Sequence, residues 1–222
     1  MVTTMVPHSV SHATSSWAEP HGHQASLDDG LAFINTLELS RAGPTDHLST
    51  VEVALRWLPW HSLLHSETLE AQSARLALDA RAAEKVLGRI RRVRAAIREL
   101  ADATVERRPP DQRHLDEVNR ALRTSYPYEL VRAPDGVSLD HRHDGDPIEG
   151  ALARLAESLA REVSLGHPKR LGVCANPECR WVFSDASRGA RRKWCDMSTC
   201  GNRAKVARHR ERKRAVAVAE VG

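Results

Sequence analysis

The sequence predicts an α+β protein with a predominantly helical N-terminal domain, a small β-hairpin or sheet, and a C-terminal module that ends in a helix. Three observations lead to this fold class. Apolar residues recur at helical spacing in much of residues 27–166, two alternating segments flank one tight turn, and all four cysteines lie within 27 consecutive residues. We therefore divide the chain into a tail at 1–26, a helical domain at 27–166 and a module at 167–222.

The overall composition is typical of a globular protein, with 41% hydrophobic and 28% charged residues in a chain of 222. Residues 1–26 differ, because they are rich in Ser, Thr and His and contain a single Asp, Glu, Lys or Arg, Glu19. This composition indicates a flexible tail. No apolar run approaches the ~20 residues that span a bilayer, and the N-terminus lacks a signal-peptide pattern. We therefore expect a cytoplasmic protein without membrane contact.

The helical domain begins with short segments. Leu31–Ile34 is an apolar run that fits either a buried strand or one turn of a buried helix. Gly43-Pro44 indicates a loop. Ser49 or Thr50 is expected to cap a helix that ends before Pro59.

The stretch from Ser66 to Thr104 is the longest predicted helix, because its apolar residues recur every three or four positions. Five arginines occupy much of the intervening surface: Arg89, Arg91, Arg92, Arg94 and Arg98. We interpret them as a solvated helix face, with contact to nucleic acid as the alternative.

Three further elements complete the domain. Asp111 is expected to cap a helix. The alternating segments Tyr126–Arg132 and Val137–His143 flank a Pro-Asp-Gly turn and predict a β-hairpin. Pro147 opens the last predicted helix of the domain, which ends at Gly166.

The domain shows no recognisable catalytic constellation, so we expect that the chain is not an enzyme. His61 and His65 lie four residues apart, and His141 and His143 share one face of a predicted strand. Neither pair has an obvious third metal ligand. We therefore expect these histidines to be partly buried or solvated.

The four cysteines follow the spacing C-x4-C-x15-C-x4-C, at Cys174, Cys179, Cys195 and Cys200. Their clustering in one segment favours a metal site over a disulfide framework. A short inner spacing lets one turn present two sulfurs, and the longer gap lets the second pair reach the same ion. Zinc accepts four thiolates at tetrahedral corners, which leaves no open position for a substrate. The spacing predicts one structural Zn²⁺. A turn at the first pair, a hairpin and a helix that carries the last cysteine together resemble a treble-clef arrangement.

Positive charge is concentrated in this module. Residues 168–222 hold 14 Lys/Arg and 5 Asp/Glu, giving +9, whereas residues 1–167 hold 19 and 24, giving −5. A helical pattern follows Cys200, from about Asn202 to Val218, and it is strongly basic. Such a helix binds a phosphate backbone or enters a major groove, with a merely solubilising helix as the alternative. The predicted nucleic-acid-binding residues are Arg188, Arg191, Arg192, Lys193, Arg203, Lys205, Arg208, Arg210, Arg212, Lys213 and Arg214.

The residues that follow Cys200 have expected structural roles. Gly201 would let the backbone pass close to the zinc sulfurs. Asn202 would cap the helix or donate a hydrogen bond to a thiolate. For Arg203, contact with the sulfurs, with phosphate or with a carboxylate of the body all remain open.

The module resembles the CGNR zinc finger in Cys174-Ala-Asn-Pro-Glu-Cys179, Trp181, Phe183, Asp185, Ser187-Arg188, Arg192-Lys-Trp-Cys195 and Cys200-Gly-Asn-Arg203-Ala-Lys. Leu31-Ala-Phe33 and Asn35-Thr36 resemble the opening of the ABATE domain, which precedes this finger in stress-induced transcription regulators of bacteria. That second resemblance extends over about residues 27–165. The family implies zinc on the four cysteines and suggests DNA binding.

Our leading hypothesis is therefore a zinc-dependent, DNA-binding transcription regulator of bacteria, nucleoid-associated if it binds DNA. Its N-terminal domain would bind a small-molecule effector or form a homodimer. One alternative is an RNA-binding or protein-interaction zinc module. A second alternative places a ligand-binding or enzymatic activity in the N-terminal domain.

Overall fold

A computed structural model of the chain describes residues 25–61, 63–124, 127–134, 136–141 and 145–219. Most of the predicted flexible tail, residues 1–24, lies outside the described residues. The described chain contains seven α-helices and three two-stranded antiparallel sheets, which confirms the α+β, predominantly helical fold class. None of the described helices is both long enough and apolar enough to cross a membrane.

The first helix, α1 (Leu27–Asn35), includes the ambiguous apolar run, which is therefore helical. Ser26 and Asp29 form a reciprocal capping box at its start, which explains why the chain enters a helix here. Phe33 and Ile34 are completely buried. The helix thus supplies the first apolar face of the core.

A β-hairpin follows where the sequence predicted only a loop. Strands β1 (Leu37–Ser40) and β2 (Gly43–Asp46) pair in antiparallel register, with Ser40 opposite Gly43. The loop prediction was therefore wrong. Gly43 has a φ of +119°, which glycine adopts without strain, and a two-stranded ribbon has only edge strands, which tolerate Pro44.

Helix α2 (Val51–Trp60) is capped by Thr50, one of the two expected caps. It includes Pro59 instead of ending before it. Pro59 has no backbone N–H to donate, but this loses a hydrogen bond only in the last turn of the helix. The helix therefore continues for one residue beyond Pro59.

The long predicted helix is divided in two. Helix α3 (Ser66–Ala77) is followed by α4 (Ala80–Glu106), and the Asp79 carboxylate accepts a hydrogen bond from the Ala82 amide at 2.9 Å. This cap starts a new helix and explains the break. The helical pattern on either side was interpreted correctly.

The remaining elements of the body follow the sequence pattern. Helix α5 (Gln112–Leu122) is capped by Asp111, and strands β3 (Tyr128–Ala133) and β4 (Gly136–His141) form the predicted hairpin. Helix α6 (Pro147–Leu165) is capped by Asp146. Packing of α4 and α6 against α1 and α5 encloses the main core, whose largest buried side chains include Phe33, Ile97, Leu152 and Leu155.

The α4 arginines do not form a solvated face, so that interpretation was wrong for most of them. Arg94 and Arg98 are only 2% and 8% exposed. Arg94 binds Asp46 and Thr36, and Arg98 binds Asp102 and the Arg180 carbonyl oxygen. Arg89 binds Glu117 and Glu149, Arg91 binds Asp46 and the Ser49 carbonyl oxygen, and Arg92 remains exposed beside Glu117.

Among the described residues, no group of potential metal ligands includes His61 or His65. His61 stacks on Trp57, with ring centroids 4.0 Å apart, and its Nδ1 lies 2.9 Å from Asp29 Oδ1. The partly buried state expected for His61 is therefore confirmed. The side chain of His141 and all of His143 lie outside the described residues.

The C-terminal module packs directly on this body. It comprises a short 3₁₀ turn (Pro168–Arg170), β5 (Leu171–Val173), β6 (Val182–Ser184), a π-turn (Met197–Gly201) and α7 (Asn202–Ala219). Leu171 and Val182 are buried in the same core as the helices of the body. The module is therefore docked through apolar contacts in addition to its chain connection.

Candidate zinc centre

The first cysteine pair is presented by the turn that joins β5 to β6. The Cys174 amide donates to the Trp181 carbonyl oxygen at 2.8 Å, and the Cys179 amide donates to that of Asn176 at 2.9 Å. The Asn176 side-chain oxygen also accepts from the Glu178 amide at 3.1 Å. These bonds fold the four intervening residues into a compact turn, so both sulfurs face the same point.

Of the second pair, Cys195 lies directly before the π-turn that leads into α7, and Cys200 lies within it. Asp196 begins this turn, and its carboxylate accepts from the Ser198 and Thr199 amides at 2.6 and 3.0 Å. Cys200 lies at the end of the turn and is 5% exposed. The last ligand is thus fixed directly at the start of the basic helix.

The four cysteine sulfurs all lie within 4.8 Å of one another. The Cys179–Cys195 and Cys195–Cys200 Sγ distances are 3.5 and 3.8 Å. A tetrahedral zinc site with Zn–S bonds of about 2.3 Å requires sulfurs roughly 3.8 Å apart. The four side chains therefore fit one structural zinc ion, with Cys174, Cys179, Cys195 and Cys200 as its ligands.

The electrostatics of the thiols point to the same cation. The hydrogen bond between Cys195 and Cys179 lowers the pKa of Cys179 to about 6 and raises the pKa of Cys195. Burial raises the pKa of Cys174. Four thiols at this spacing cannot all ionise without a compensating charge, and Zn²⁺ supplies that charge.

Nearby N–H groups support the thiolates. The Asn176 side-chain amide donates to Cys200 Sγ at 3.3 Å, and the backbone amides of Asn176 and Cys195 donate to the sulfur of Cys174. The sequence left two roles open for Asn202, a helix cap or a donor to a thiolate, and its side chain donates to the Ser198 carbonyl oxygen. The Asn-Pro turn inside the first pair was the available signal, because it places an amide side chain between two ligands.

The space beside Gly201 is occupied by two side chains of the module. A Cβ atom there would be 2.7 Å from Met197 Sδ and 3.4 Å from Trp194 Cδ1. The glycine therefore allows close packing of Met197 and Trp194, and Trp194 in turn packs against the cysteine cluster. Arg203 is exposed, and no hydrogen bond or ion pair joins it to another described residue.

Asp185 organises the loop between the two cysteine pairs. It is 3% exposed and accepts hydrogen bonds from the Ser187 and Arg192 amides at 2.9 and 2.7 Å. A hydrogen bond from Ser187 lowers its pKa, and that from Arg192 adds to the effect. The Arg192 guanidinium lies 4.9 Å from the Phe183 ring centroid and donates to the Trp194 carbonyl oxygen. The loop is therefore held against the module by one buried carboxylate and one stacked arginine.

The predicted nucleic-acid-binding residues are gathered on the loop and on α7. Those with described side chains are all exposed: Arg188, Arg191, Arg192, Lys193, Arg203, Lys205, Arg208, Arg210, Arg212 and Lys213. The side chain of Arg214 lies outside the described residues. Within residues 202–213, only Ala204 is partly buried, so solvent surrounds this part of the helix.

Two family profiles match the chain, the first over the helical body and the second over the cysteine module. The profile described as "Putative stress-induced transcription regulator", the ABATE domain, matches residues 30–165, which is more than half of the chain. The chain belongs to the ABATE family. The CGNR zinc finger profile matches residues 170–213. No curated protein matches the chain significantly.

The family match agrees with the geometry of the cysteine site. The ABATE match covers helices α2 to α6 and most of α1, and the CGNR match covers all four cysteines and the first part of α7. The resemblance stated from the sequence is therefore confirmed, as is one structural zinc ion. Beyond the ligands, sequence reasoning missed Asn35, whose side chain joins the two regions through Val182.

Proposed function

We propose that the chain binds duplex DNA through its CGNR finger and thereby regulates transcription. The observation that supports this most directly is the set of ten exposed basic side chains on α7 and the loop of residues 185–193. Clustered Lys and Arg bind nucleic acids because they neutralise phosphates and release condensed counterions. The transcription-regulator description of the family supports the same role.

Helix α7 is well suited to phosphate contact. A groove of about 530 Å³ at its start is lined by Ser198, Thr199, Asn202, Arg203 and Arg210, among others. Hydroxyl, amide and guanidinium groups are the side-chain donors that most often bind phosphate oxygens. Because α7 has basic residues around most of its circumference, several phosphates can be contacted at once.

Zinc positions this helix. Four thiolates around Zn²⁺ leave a net charge of about −2 at the N-terminus of α7, where the helix dipole favours negative charge. Cys200 belongs to the π-turn that leads into the helix, so metal binding fixes the direction of its first turn. Loss of zinc would leave a basic segment without a defined orientation.

The negative net charge of the N-terminal part of the chain favours DNA binding on the finger side of the molecule. Residues 1–167 carry 19 Lys/Arg and 24 Asp/Glu, a net charge of −5. Most α4 arginines are paired with internal carboxylates and are not available to phosphates. DNA would therefore approach the finger and be repelled by the body.

The test compares two charge-matched double variants in titrations of labelled duplex DNA at several salt concentrations. Arg203→Gln with Arg210→Gln should weaken binding and reduce the salt slope by about 2, since each arginine contacts one phosphate. Arg81→Gln with Lys85→Gln removes the same charge from exposed positions of α4 and should leave the slope nearly unchanged. Equal effects of the two variants would contradict the assignment to α7.

Competition experiments separate this proposal from its alternatives. Duplex DNA should displace the labelled probe at lower concentration than structured RNA or single-stranded DNA. A preference for RNA would replace the DNA role with an RNA-binding role. We propose no catalytic activity at the zinc, because the closed thiolate shell offers no position for a substrate.

A further inference from the structure

The four ligands of the zinc centre differ in their access to solvent. Cys174, Cys179 and Cys200 are buried, at most 8% exposed, whereas Cys195 is partly exposed. Cys195 lies between the loop that joins the two cysteine pairs and the π-turn that carries Cys200. Because the modification of cysteines depends on their exposure, reagents in solvent should reach Cys195 more easily than the other three ligands.

The four sulfurs also differ in their hydrogen bonds. Cys200 Sγ accepts from the Asn176 side-chain amide at 3.3 Å, and the sulfurs of Cys174 and Cys179 accept from backbone amides of the module. The hydrogen bonds of Cys195 Sγ within the described chain join it to two other cysteine sulfurs, and no N–H group donates to it there. Cys195 is therefore the sulfur with the least support.

This difference affects how readily each sulfur reacts. A hydrogen bond from an N–H group stabilises the charged form of a thiol, and a more stabilised thiolate is a weaker nucleophile. The sulfur of Cys195 lacks such a bond and should be the strongest nucleophile of the four. Exposure and hydrogen bonding are separate observations, and both select the same residue.

A second sulfur is in place to react with an oxidised Cys195. Cys179 Sγ lies 3.5 Å from Cys195 Sγ, the shorter of the two sulfur contacts of Cys195. A disulfide requires an S–S bond of about 2.05 Å, so only a small movement of the two side chains is needed. The pair belongs to different halves of the site, and a bond between them would join the two cysteine turns.

We propose that Cys195 is the site at which hydroperoxides modify the zinc centre, and that Cys179 completes a disulfide with it. The Cys195 thiolate attacks hydrogen peroxide, so that an S–O bond forms, the O–O bond breaks and hydroxide leaves with the electron pair. The Cys179 thiolate then attacks the sulfenic sulfur, an S–S bond forms, the S–O bond breaks and a second hydroxide leaves. Two thiolates are thus oxidised, and one peroxide is reduced to two hydroxide ions.

The disulfide withdraws two of the four zinc ligands. The remaining two, Cys174 and Cys200, cannot complete a tetrahedral shell, so the ion should be released. The proposal depends on the zinc centre and not on DNA binding. Its tests use no DNA, so its failure and a failure of the DNA-binding proposal can be told apart.

The first experiment treats the zinc-loaded full chain with less than one equivalent of hydrogen peroxide and analyses tryptic peptides by mass spectrometry. Trypsin leaves the first cysteine pair in residues 171–180 and the second pair in residues 194–203. The proposed disulfide should therefore join two peptides, and fragmentation should locate it at Cys179 and Cys195. A chromogenic chelator should detect about one zinc ion for each disulfide formed. No reaction, a main product without Cys195, or a disulfide that leaves zinc bound would overturn the proposal.

The second experiment identifies the cysteine that reacts first. Dimedone traps sulfenic acids, and it should label Cys195 at least about fivefold faster than any other cysteine of the zinc-loaded chain. Equal labelling of all four residues would contradict the assignment. This measurement needs no substitution, so it does not depend on whether a variant of the module folds.

A matched pair of variants tests the role of the N–H donors. Asn176→Ala removes the donor to Cys200 and, in excess zinc, should raise the labelling of Cys200 relative to Cys195 by at least about twofold. Asn202→Ala removes an amide that donates to the Ser198 carbonyl oxygen, so the ratio should remain that of the wild type. The same ratio in both variants would overturn the claim that hydrogen bonds decide which sulfur reacts.

Discussion

Individual residues of the zinc centre differ in how far the sequence predicts them. The four ligands follow from residue type and spacing alone, because thiolates at these intervals favour zinc. The supporting donor does not, since Asn176 reaches a sulfur 24 positions away and only the folded turn brings the two together. Asn202, only two positions after Cys200, donates to the carbonyl oxygen of Ser198 instead. Proximity along the chain was therefore a poor guide to the hydrogen bonds around the metal.

Removal of the Asn176 side chain should weaken zinc binding. Asn176→Ala eliminates both the bond to Cys200 Sγ and the bond that folds the first cysteine turn. We expect a loss of roughly tenfold or more in zinc affinity, typical of groups that orient metal ligands. Competition with a chelator of known affinity measures the change. Asn202→Ala is the control, and an equal loss in that variant would refute the assigned role of Asn176.

A second prediction concerns the buried ion pair between Asp46 and Arg94. Burial raises the pKa of Asp46, but hydrogen bonds from Arg94 and the Leu48 amide outweigh it, so the net pKa is lowered. A lowered folded-state pKa stabilises the fold above the ordinary value of 3.8, and that stability is lost as the pH falls through the folded-state value. At neutral pH, Asp46→Asn should destabilise the protein by about 3 kcal/mol, because it leaves Arg94 buried and unpaired.

Urea unfolding of wild type and Asp46→Asn at a series of pH values checks this prediction. The difference between the two proteins should be constant near neutral pH. It should shrink as the pH falls below the ordinary value of 3.8 towards the lowered pKa of Asp46 in the folded wild-type protein. Loss of zinc at low pH affects both proteins alike. Its effect therefore cancels when their free energies of unfolding are compared at the same pH. A difference that grows on acidification would contradict the proposed pairing.

At the scale of elements, helices were predicted better than the connections between them. The cores of α4 and α6 follow the periodicity of their apolar residues, and the Asp111 and Asp146 caps fix the starts of α5 and α6. The β1–β2 hairpin was missed because four-residue strands show too little alternation to be recognised. The division between α3 and α4 depends on a single aspartate cap, which competes with an otherwise continuous helical pattern. The α4 arginines were misjudged because an arginine within a helical pattern does not reveal whether a carboxylate from another element faces it.

Residues 202–213 of helix α7 bury no apolar face against the rest of the described chain, so the stability of this stretch should depend on its anchored end. Within residues 202–213, only Ala204 is even partly buried. Helices in proteins gain most of their stability from packing of an apolar face, which this stretch does not bury. We expect hydrogen exchange to show protection at residues 202–206 that fades towards residue 219, and removal of zinc should abolish it. Unchanged protection of residues 202–206 after zinc removal would show that the metal does not anchor the helix.

In the whole molecule, the finger and the ABATE domain form one packed unit through a small set of specific contacts. The Asn35 side chain donates to the Val182 carbonyl oxygen at 2.8 Å and accepts from its amide at 2.9 Å. Arg98 binds the Arg180 carbonyl oxygen, and Val182 enters the common core. The sequence suggested two consecutive regions but could not reveal that they pack together. Asn35 and Val182, for example, are separated by 147 positions in the chain.

The Asn35 contact should hold the finger in place. Asn35→Ala leaves a buried backbone amide and carbonyl group unpaired and should lower the free energy of unfolding by about 3 kcal/mol. Zinc should stay bound, since no ligand is touched, whereas hydrogen exchange at residues 180–184 should accelerate. Ser73→Ala, at a partly buried position of α3 far from the finger in sequence, serves as the control. Native-like protection of residues 180–184 in Asn35→Ala would argue against this docking.

The distribution of charge gives the molecule a basic finger and an acidic body. The segment 168–222 carries +9, and the remainder carries −5. The central claim is that zinc presents the basic helix of the finger to duplex DNA. This claim depends on the metal site, on the direction of α7 and on the exposed charges. Separate experiments can perturb each of these three features.

The most direct measurement is the affinity of the full chain for labelled duplex DNA, with and without zinc, between 50 and 200 mM salt. The zinc-loaded protein should bind at low salt and lose about 10³ in affinity across this range, as expected for roughly six phosphate contacts. The zinc-free protein, prepared by chelation or as Cys200→Ser, should bind much more weakly at low salt. Zinc-independent binding, or affinity indifferent to salt, would contradict the claim.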